Sequence, residues 1–342
     1  MTMQSFRVHA PGRVNLIGDH TDYAGGLALP CAIDLGITLT GTQTSGRVEL
    51  RSDSLPGVVS IDLSANNEIS SVEPKWGRYI AAVARQLESP EGFTASITST
   101  LPAGAGLSSS AALEIAAALA FGFNQSPMEL SLLGQRSEFL AVGVPCGLLD
   151  QLSIVFGRAD NAMVIDFVDN SIEQVAFPDE LEIVIVHSGQ ERDLETSQYA
   201  ERRSSCEIAA ERVGPLAMAT SSDIASLDGD LRRRARHVAT ECERVRHAAE
   251  ALREHEPSIV GELMTQSHAS LRDDFNVSTA VLDELVEQLS RVAGVYGARL
   301  TGAGFGGCVV ALCERDAISD PTTFTGRGWK VRPSDGAIRV DD

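Results

Sequence analysis

Lysine is almost missing from this chain of 342 residues; only Lys75 and Lys330 occur, and arginine supplies the rest of the positive charge. Neither lysine lies in a glycine-rich stretch. That excludes a P-loop, whose Gly-Lys-Ser/Thr places an ammonium on the phosphates, and a protein-kinase-like site, which also needs a lysine. Positive charge is scarce overall, with a formal net charge of −19. Nucleic acid and anionic membrane surfaces are therefore excluded as general partners. A phosphate-rich ligand would need local arginines, a helix dipole or a metal ion. The apolar runs are short and interrupted, so no transmembrane span is expected. Met1 to Arg7 lacks the apolar core of a signal peptide, so a cytoplasmic chain is expected. The six cysteines, Cys31, Cys146, Cys206, Cys242, Cys308 and Cys313, form no CxxC pair, which fits reduced thiols. His237, His247, His255 and His268 show no spacing with cysteine or carboxylate that suggests zinc. What remains is a globular composition of a length that predicts two domains.

The chain is organised around Leu101-Pro-Ala-Gly-Ala-Gly-Leu-Ser-Ser-Ser-Ala-Ala-Leu-Glu-Ile115. Its first part is too glycine-rich for regular structure, and Ala111 to Ala120 is a run of helix formers. Ser108, Ser109 and Ser110 stand at the junction, where an N-cap is expected. Such a junction aims free N–H groups and the positive end of a helix dipole at one spot, which suits a phosphate. Gly104 and Gly106 would let the backbone approach an anion closely. A strand over Phe93 to Ser99 precedes the loop.

Upstream, a strand over Phe6 to Ala10 leads into a loop, Ala10 to Pro30, that carries Arg13, Asn15, Asp19, His20, Thr21, Asp22 and Tyr23 between glycines. Asp19-His20-Thr21-Asp22 fits a polyol held by charge-assisted hydrogen bonds, a divalent ion, or a solvated turn. Trp76 to Leu87 reads as an amphipathic helix with Trp76 and Tyr79 on one face, either core or a platform for a purine. A helix over Pro127 to Val142 contains Glu138 and ends at Gly143. Asp150 then falls inside an apolar run, Leu148 to Phe156. An acid there is costly unless paired, and such acids cluster at functional sites; the other reading is a helix cap. Beyond a hinge between Ser171 and Pro178 the chain is mostly helical. Arg192, Arg202 and Arg203 read as a solvated face of a helix containing Tyr199. Arg232, Arg233, Arg234 and Arg236 read as i,i+4 partners of acids. Thr301-Gly-Ala-Gly-Phe-Gly-Gly-Cys308 is a second glycine-rich loop, its backbone packed against either a ligand or another backbone. A last short strand falls at 330–332 or 338–340.

Three separated segments together resemble the GHMP small-molecule kinases and, within them, the galactokinases. Arg13-Val-Asn-Leu-Ile-Gly-Asp-His-Thr-Asp-Tyr23 is similar to the galactokinase signature, Gly104 to Ala112 to the superfamily's ATP loop, and Thr301 to Cys308 to its third motif. Val144-Pro-Cys-Gly-Leu-Leu-Asp-Gln151 resembles the catalytic-aspartate segment, and Ser267 to Phe275 is another galactokinase-like run. The resemblance spans Ala10 to Leu312. It implies a mixed α/β (α+β) two-domain GHMP kinase fold. Residues 1–175 would form a ribosomal-protein-S5-domain-2-like domain and 176–342 a ferredoxin-like domain, with the active site between them.

The same resemblance implies ATP over Gly104, Ala105, Gly106, Leu107, Ser108, Ser109 and Ser110. Trp76 and Tyr79 would line the adenine pocket, and Ser52 would lie near the nucleotide. It implies Mg²⁺ on Ser110 and Glu138. Asp19, His20, Thr21, Asp22, Gly147 and Tyr199 would hold a small sugar or polyol. Asp150 would be the base that takes the C1 hydroxyl proton, and Arg13 would lie between Asp150 and the phosphates. The implied activity is that of a phosphotransferase with an alcohol acceptor, a galactose 1-kinase acting as a monomer. The alternatives are a related kinase for another sugar or a cyclitol, and a non-catalytic sensor of sugar and ATP. One departure stands out: Asp19 occupies a place where the galactokinases usually carry glutamate, one methylene longer.

Overall fold

The computed structural model describes residues 4–65, 68–102, 104–143, 146–190 and 195–341. Arg192 and the pair Val144–Pro145 lie outside these residues. Strands β1 (Ser5–Ile17) and β2 (Leu27–Thr44) form a long antiparallel pair. The sequence predicts a loop from Ala10 onward, yet β1 continues to Ile17. Val14, Leu16 and Ile17 are fully buried, and that burial holds the segment extended. Arg13 and Asn15 therefore stand on a strand, and only residues 18–26 turn. Register shifts at Pro11/Gly12 and Asn15/Ile17 interrupt the pairing on either side of Arg13.

β3 (Arg47–Ser52) and β4 (Val58–Asp62) form a hairpin. Helix α1 (Gly77–Gln86) and strand β5 (Gly92–Ser99) follow, and β5 lies antiparallel to β2 and parallel to β3. The glycine loop then enters α2 (Ser109–Ala120), as predicted. All of its residues from Ala111 to Ala118 are buried. Alanines let it pack on every side between the sheet and its neighbour helices. Helix α3 (Pro127–Val142) starts with a Ser126–Glu129 capping box and Pro127 at its first position. It stops at Gly143, which adopts φ 75°. Helix α4 (Leu149–Phe156) carries Asp150 in its first turn. Hairpin β6 (Asn161–Asp166) and β7 (Ser171–Ala176) attaches to β2. The expected hinge from Ser171 thus begins with a paired strand, and the chain crosses over at residues 177–180.

Strand β8 (Leu181–His187) is buried along its whole length. Helices α5 (Glu195–Val213), α6 (Ser221–Ser226), α7 (Gly229–Arg253), α8 (Pro257–Asp273) and α9 (Ala280–Ser290) follow. Strands β9 (Val295–Thr301), β10 (Cys308–Glu314) and β11 (Gly328–Val331) join β8 in an antiparallel sheet of order β11-β8-β10-β9. The chain then returns to the first sheet, where β12 (Ile338–Asp341) pairs with β1 at the edge of the order β12-β1-β2-β5-β3-β4. Both positions expected for a last strand are therefore strands, one in each sheet.

Candidate active site

A cavity of about 400 Å3 opens where the turn after β1, the start of α2, the end of α3, the start of α4 and the loop after β9 converge. Its wall includes Arg13, Asp19, His20, Asp22, Tyr79, Ser110, Glu138, Gly147, Asp150 and Tyr199. Asp150 stands at the centre. Its Oδ1 accepts from Arg13 Nε at 2.8 Å and pairs with Nη2 at 2.6 Å, and its Oδ2 accepts from the Ser108 hydroxyl. Arg13 Nη1 also donates to Gly106 O at 2.7 Å, and its backbone N–H donates to Leu107 O at 3.3 Å. The carboxylate is thus tied both to the sugar-signature strand and to the glycine loop. Ser108 is the residue before α2, but its side chain caps nothing. It adopts φ 61°, a left-handed conformation uncommon for serine, and spends its hydroxyl on Asp150.

Ser110 donates to Glu138 Oε1 at 3.0 Å, and Gln151 Nε2 donates to Glu138 Oε2 at 2.9 Å. Burial, and then the charge of Asp150, push the Glu138 carboxyl above its ordinary range. No group of three or more His, Cys, Asp or Glu that could hold a metal occurs among the described residues. A hydroxyl and one buried carboxylate are the sparse oxygen set that suits Mg²⁺ when phosphates complete its shell.

On the opposite wall, the turn is braced from inside. The Thr21 hydroxyl donates to Gly18 O at 2.9 Å and Leu27 O at 2.8 Å, so Thr21 is buried behind the cavity. His20 adopts φ 63° and is buried. Its Nε2 lies 3.1 Å from Ala303 O and its Nδ1 2.9 Å from the Tyr23 hydroxyl. A carbonyl can only accept, so Nε2 carries the proton and Nδ1 accepts from Tyr23. Burial, followed by the charge of His237, pushes the His20 imidazole down to about 3, which keeps it neutral. Tyr199 packs beside His20 and Tyr23, with ring centres 5.8 and 5.6 Å apart. Asp22 is pushed up to about 6, first by burial and then by the charges of Asp150 and Asp19. Gly147 lies against it so closely that a Cβ would overlap the Asp22 carboxylate.

Asp19 is more deeply committed. Its Oδ2 is ion-paired with Arg299 Nη2, and its Oδ1 accepts from Gly302 N at 3.1 Å. Arg299 is fully buried and also donates to the carbonyls of Asn15 and Leu16. The third glycine motif is thereby explained as backbone against backbone. A Cβ at Gly304 would strike Val277, and one at Gly306 would press on Gln190 O.

Other expected nucleotide residues lie off the cavity wall. The Trp76 indole N–H donates to Pro56 O at 3.1 Å and its ring is buried, whereas Tyr79 faces the cavity. Ser52 Oγ accepts from the backbone of Ser54 and Leu55, closing the turn after β3. Ala105 and Leu107 point into the core, while Gly104 and Ser109 are exposed. Cys146, Gln151, Arg299, Gly302 and Ala303 enter the site without having been singled out as ligands. Arg202 is no solvated side chain; it is buried and donates to Phe275 O and Asn276 O at 2.8 and 3.0 Å. Arg234 is likewise buried, against the Phe275 ring and Asp274 O, although it keeps an i,i+4 contact with Asp230.

A two-sheet α/β chain with a lysine-free glycine loop at a helix start, facing a half-buried Arg–Asp pair, has the design of a GHMP kinase. The chain matches the GHMP kinases N terminal domain over residues 77–158 and the GHMP kinases C terminal over residues 248–320. Residues 2–43 match the galactokinase galactose-binding signature. It is 39% identical to the galactokinase of Roseiflexus sp. (strain RS-1), over 98% of this chain and 93% of that one. It is 37% identical to the galactokinase of Actinobacillus succinogenes, over 96% and 90%. The crystal structure of Lactococcus lactis galactokinase complexed with galactose superposes with a TM-score of 0.90 at 32% identity, covering 98% of this chain and 95% of that one. The chain belongs to the galactokinase family.

Proposed function

We propose that the cavity binds galactose beside ATP and transfers the γ-phosphoryl group to the sugar's C1 hydroxyl. The observation that carries this reading is Asp150, a carboxylate held by Arg13 and Ser108 between the sugar-signature turn and the glycine loop. Asp150 takes the proton of the C1 hydroxyl as the O1–P bond forms. The bond from the γ-phosphorus to its bridging oxygen breaks, and ADP leaves with that electron pair. Arg13 lies on Asp150 and turns its other nitrogen to the loop, where it can stabilise charge on the moving phosphoryl group. Asp22, His20 and Tyr199 line the sugar end, with Asp22 as the acceptor of sugar hydroxyls. Ser110 and Glu138 would hold Mg²⁺, which supplies the cationic charge that the missing lysines do not. The α2 N-terminus adds its dipole to the same phosphates.

The test is a coupled ADP-release assay over hexoses, amino sugars, pentoses and inositols. Galactose gives saturable turnover. Galactose at background while another polyol saturates would overturn the substrate assignment.

The Asp22 carboxyl gives the reaction a pH signature. Asp22 is a charged acceptor through both oxygens only when ionised, and its folded pKa is raised to about 6. Protonation as pH falls through that value removes the charge and turns one oxygen into a donor, so kcat/KM for galactose drops by up to about tenfold per pH unit below 6. Asp22→Asn lowers kcat/KM and flattens that acid limb; a limb that persists in the variant would assign the titration to another group.

A further inference from the structure

Helix α7 belongs to the C-terminal half of the chain, yet one of its faces is the back wall of the sugar turn. His237, Glu241 and Val245, spaced four apart, all face that turn and are buried. His237 Nε2 lies 3.1 Å from Asp19 O. Glu241 Oε1 accepts from Gly18 N at 3.0 Å. Val245 stands where a Cβ at Gly18, which adopts φ 100°, would collide. One turn along, Cys242 closes in the same way on Gly26. The turn is therefore held at its backbone by a helix that never reaches the cavity.

Glu241 is the centre of this wall. It is fully buried, a costly place for a carboxylate. Every group that faces it is a donor or a cation: Gly18 N–H, the Ser267 hydroxyl from α8 and the Arg244 guanidinium, with His237 and Arg299 nearby. Despite its burial, Arg244 first and then His237, Arg299 and the Ser267 hydroxyl hold it down at about 2, so it is ionised at any working pH. Of the groups bonded to this buried anion only Gly18 N–H belongs to the turn, and Thr21 already staples Gly18 O from the other side, so closing the turn does not by itself require the carboxylate.

We infer that Glu241 is a positioning residue for the sugar site, fixing the Ile17–Gly18 peptide at the entry to the turn so that Asp19, His20 and Asp22 meet the sugar in register. The inference rests on the sugar-kinase reading of the cavity. Its chemistry is hydrogen-bond geometry alone. The Gly18 N–H, in the Ile17–Gly18 peptide, is pinned by Glu241 and the Asp19 carbonyl, in the Asp19–His20 peptide, by His237, so α7 holds the peptides on either side of the Gly18–Asp19 unit while the Thr21 hydroxyl holds the Gly18 carbonyl between them. A shift at the entry to the turn would move three sugar-facing side chains together and leave the ATP loop untouched.

The test is Glu241→Gln, with Ser267→Ala as a milder variant that removes one donor to Glu241 and keeps the helix packing. Gln keeps the shape but places an amide N–H₂ against either Gly18 N–H or Arg244. The expected result is a rise of about 10- to 100-fold in the galactose KM for Glu241→Gln, and a smaller rise for Ser267→Ala. The ATP KM stays within about twofold of wild type in both. Calorimetric titration of galactose without ATP shows the same loss. Equal losses in galactose KM, ATP KM and active fraction would mean that Glu241 only stabilises the fold, and would overturn the inference. So would an unchanged galactose KM in folded Glu241→Gln. Should Glu241→Gln fail to fold, Ser267→Ala decides by the same split. Failure of the wild-type protein to phosphorylate galactose would instead strike the sugar-kinase reading, and the two failures are distinguishable.

Discussion

Asp150→Asn lowers kcat by about a hundred- to ten-thousand-fold while galactose and nucleotide still bind. Asparagine keeps the size of the side chain, and its carbonyl oxygen can still accept from Arg13, so the wall of the cavity is retained. What disappears is the ability to receive a proton from the attacking hydroxyl. Alignment of sugar and phosphate survives, which is why some rate remains. Asp150→Ala is the less informative variant, because it also strands Arg13, whose side chain is only 10% exposed. Steady-state kinetics with calorimetric binding of galactose separates the two contributions. An unchanged kcat in Asp150→Asn would remove Asp150 as the base.

Arg299→Met destabilises the protein by about 3–5 kcal/mol, the usual cost of stranding one partner of a buried ion pair. Arg299 is fully buried, and the Asp19 side chain is only 6% exposed. Methionine fills similar volume, so the loss is electrostatic rather than a cavity effect. Without the guanidinium, Asp19 keeps the Gly302 N–H, the Leu16 carbonyl loses its arginine donor, and the Asn15 carbonyl is left with the Thr301 hydroxyl. Adding Asp19→Asn to Arg299→Met removes the stranded charge and recovers part of the stability. Urea unfolding of both single variants and the double variant measures this coupling. Equal stability of Arg299→Met and the double variant would show that the charge is not what the arginine compensates.

Arg13 and Asp150 stand out in the sequence because each sits in a local pattern whose chemistry is visible within a few residues, whereas Glu138, and Ser110 as its metal partner, come into view only through the resemblance to the GHMP kinases. Their mutual contacts are not visible there. Ser108 looks like a helix cap in sequence; its hydroxyl instead finds Asp150 on another helix. Trp76 and Tyr79 share one face of α1 by spacing, and spacing cannot say which ring meets the cavity. The indole N–H found a carbonyl at Pro56, and that drew Trp76 into the core. Arg202 resembled its solvated neighbours because helical periodicity says nothing of carbonyls exposed by a distant segment, here Phe275 and Asn276. The extension of β1 through Arg13 is masked by Pro11 and Gly12, which read as a break ahead of the alternating Arg13-Val14-Asn15-Leu16. The element order was largely legible, since glycine, proline and apolar runs mark it locally. Arg299 stands two residues before the second glycine-rich loop, but its partner Asp19 lies at the other end of the chain.

The pairing of β12 with β1 bears on how the molecule is made. β1 comes first in the order of strands and β12 last, so the outer edge of β1 has an unfilled row of hydrogen-bonding groups until β12 has been synthesised. Phe6, Arg7, Val8 and His9 wait for Asp341, Val340, Arg339 and Ile338, after every other strand has emerged. During elongation the nascent chain therefore carries an open sheet edge that another nascent copy could occupy. Closure of that edge waits for the last strand of the fold, and chaperone protection of the growing chain matters most before it.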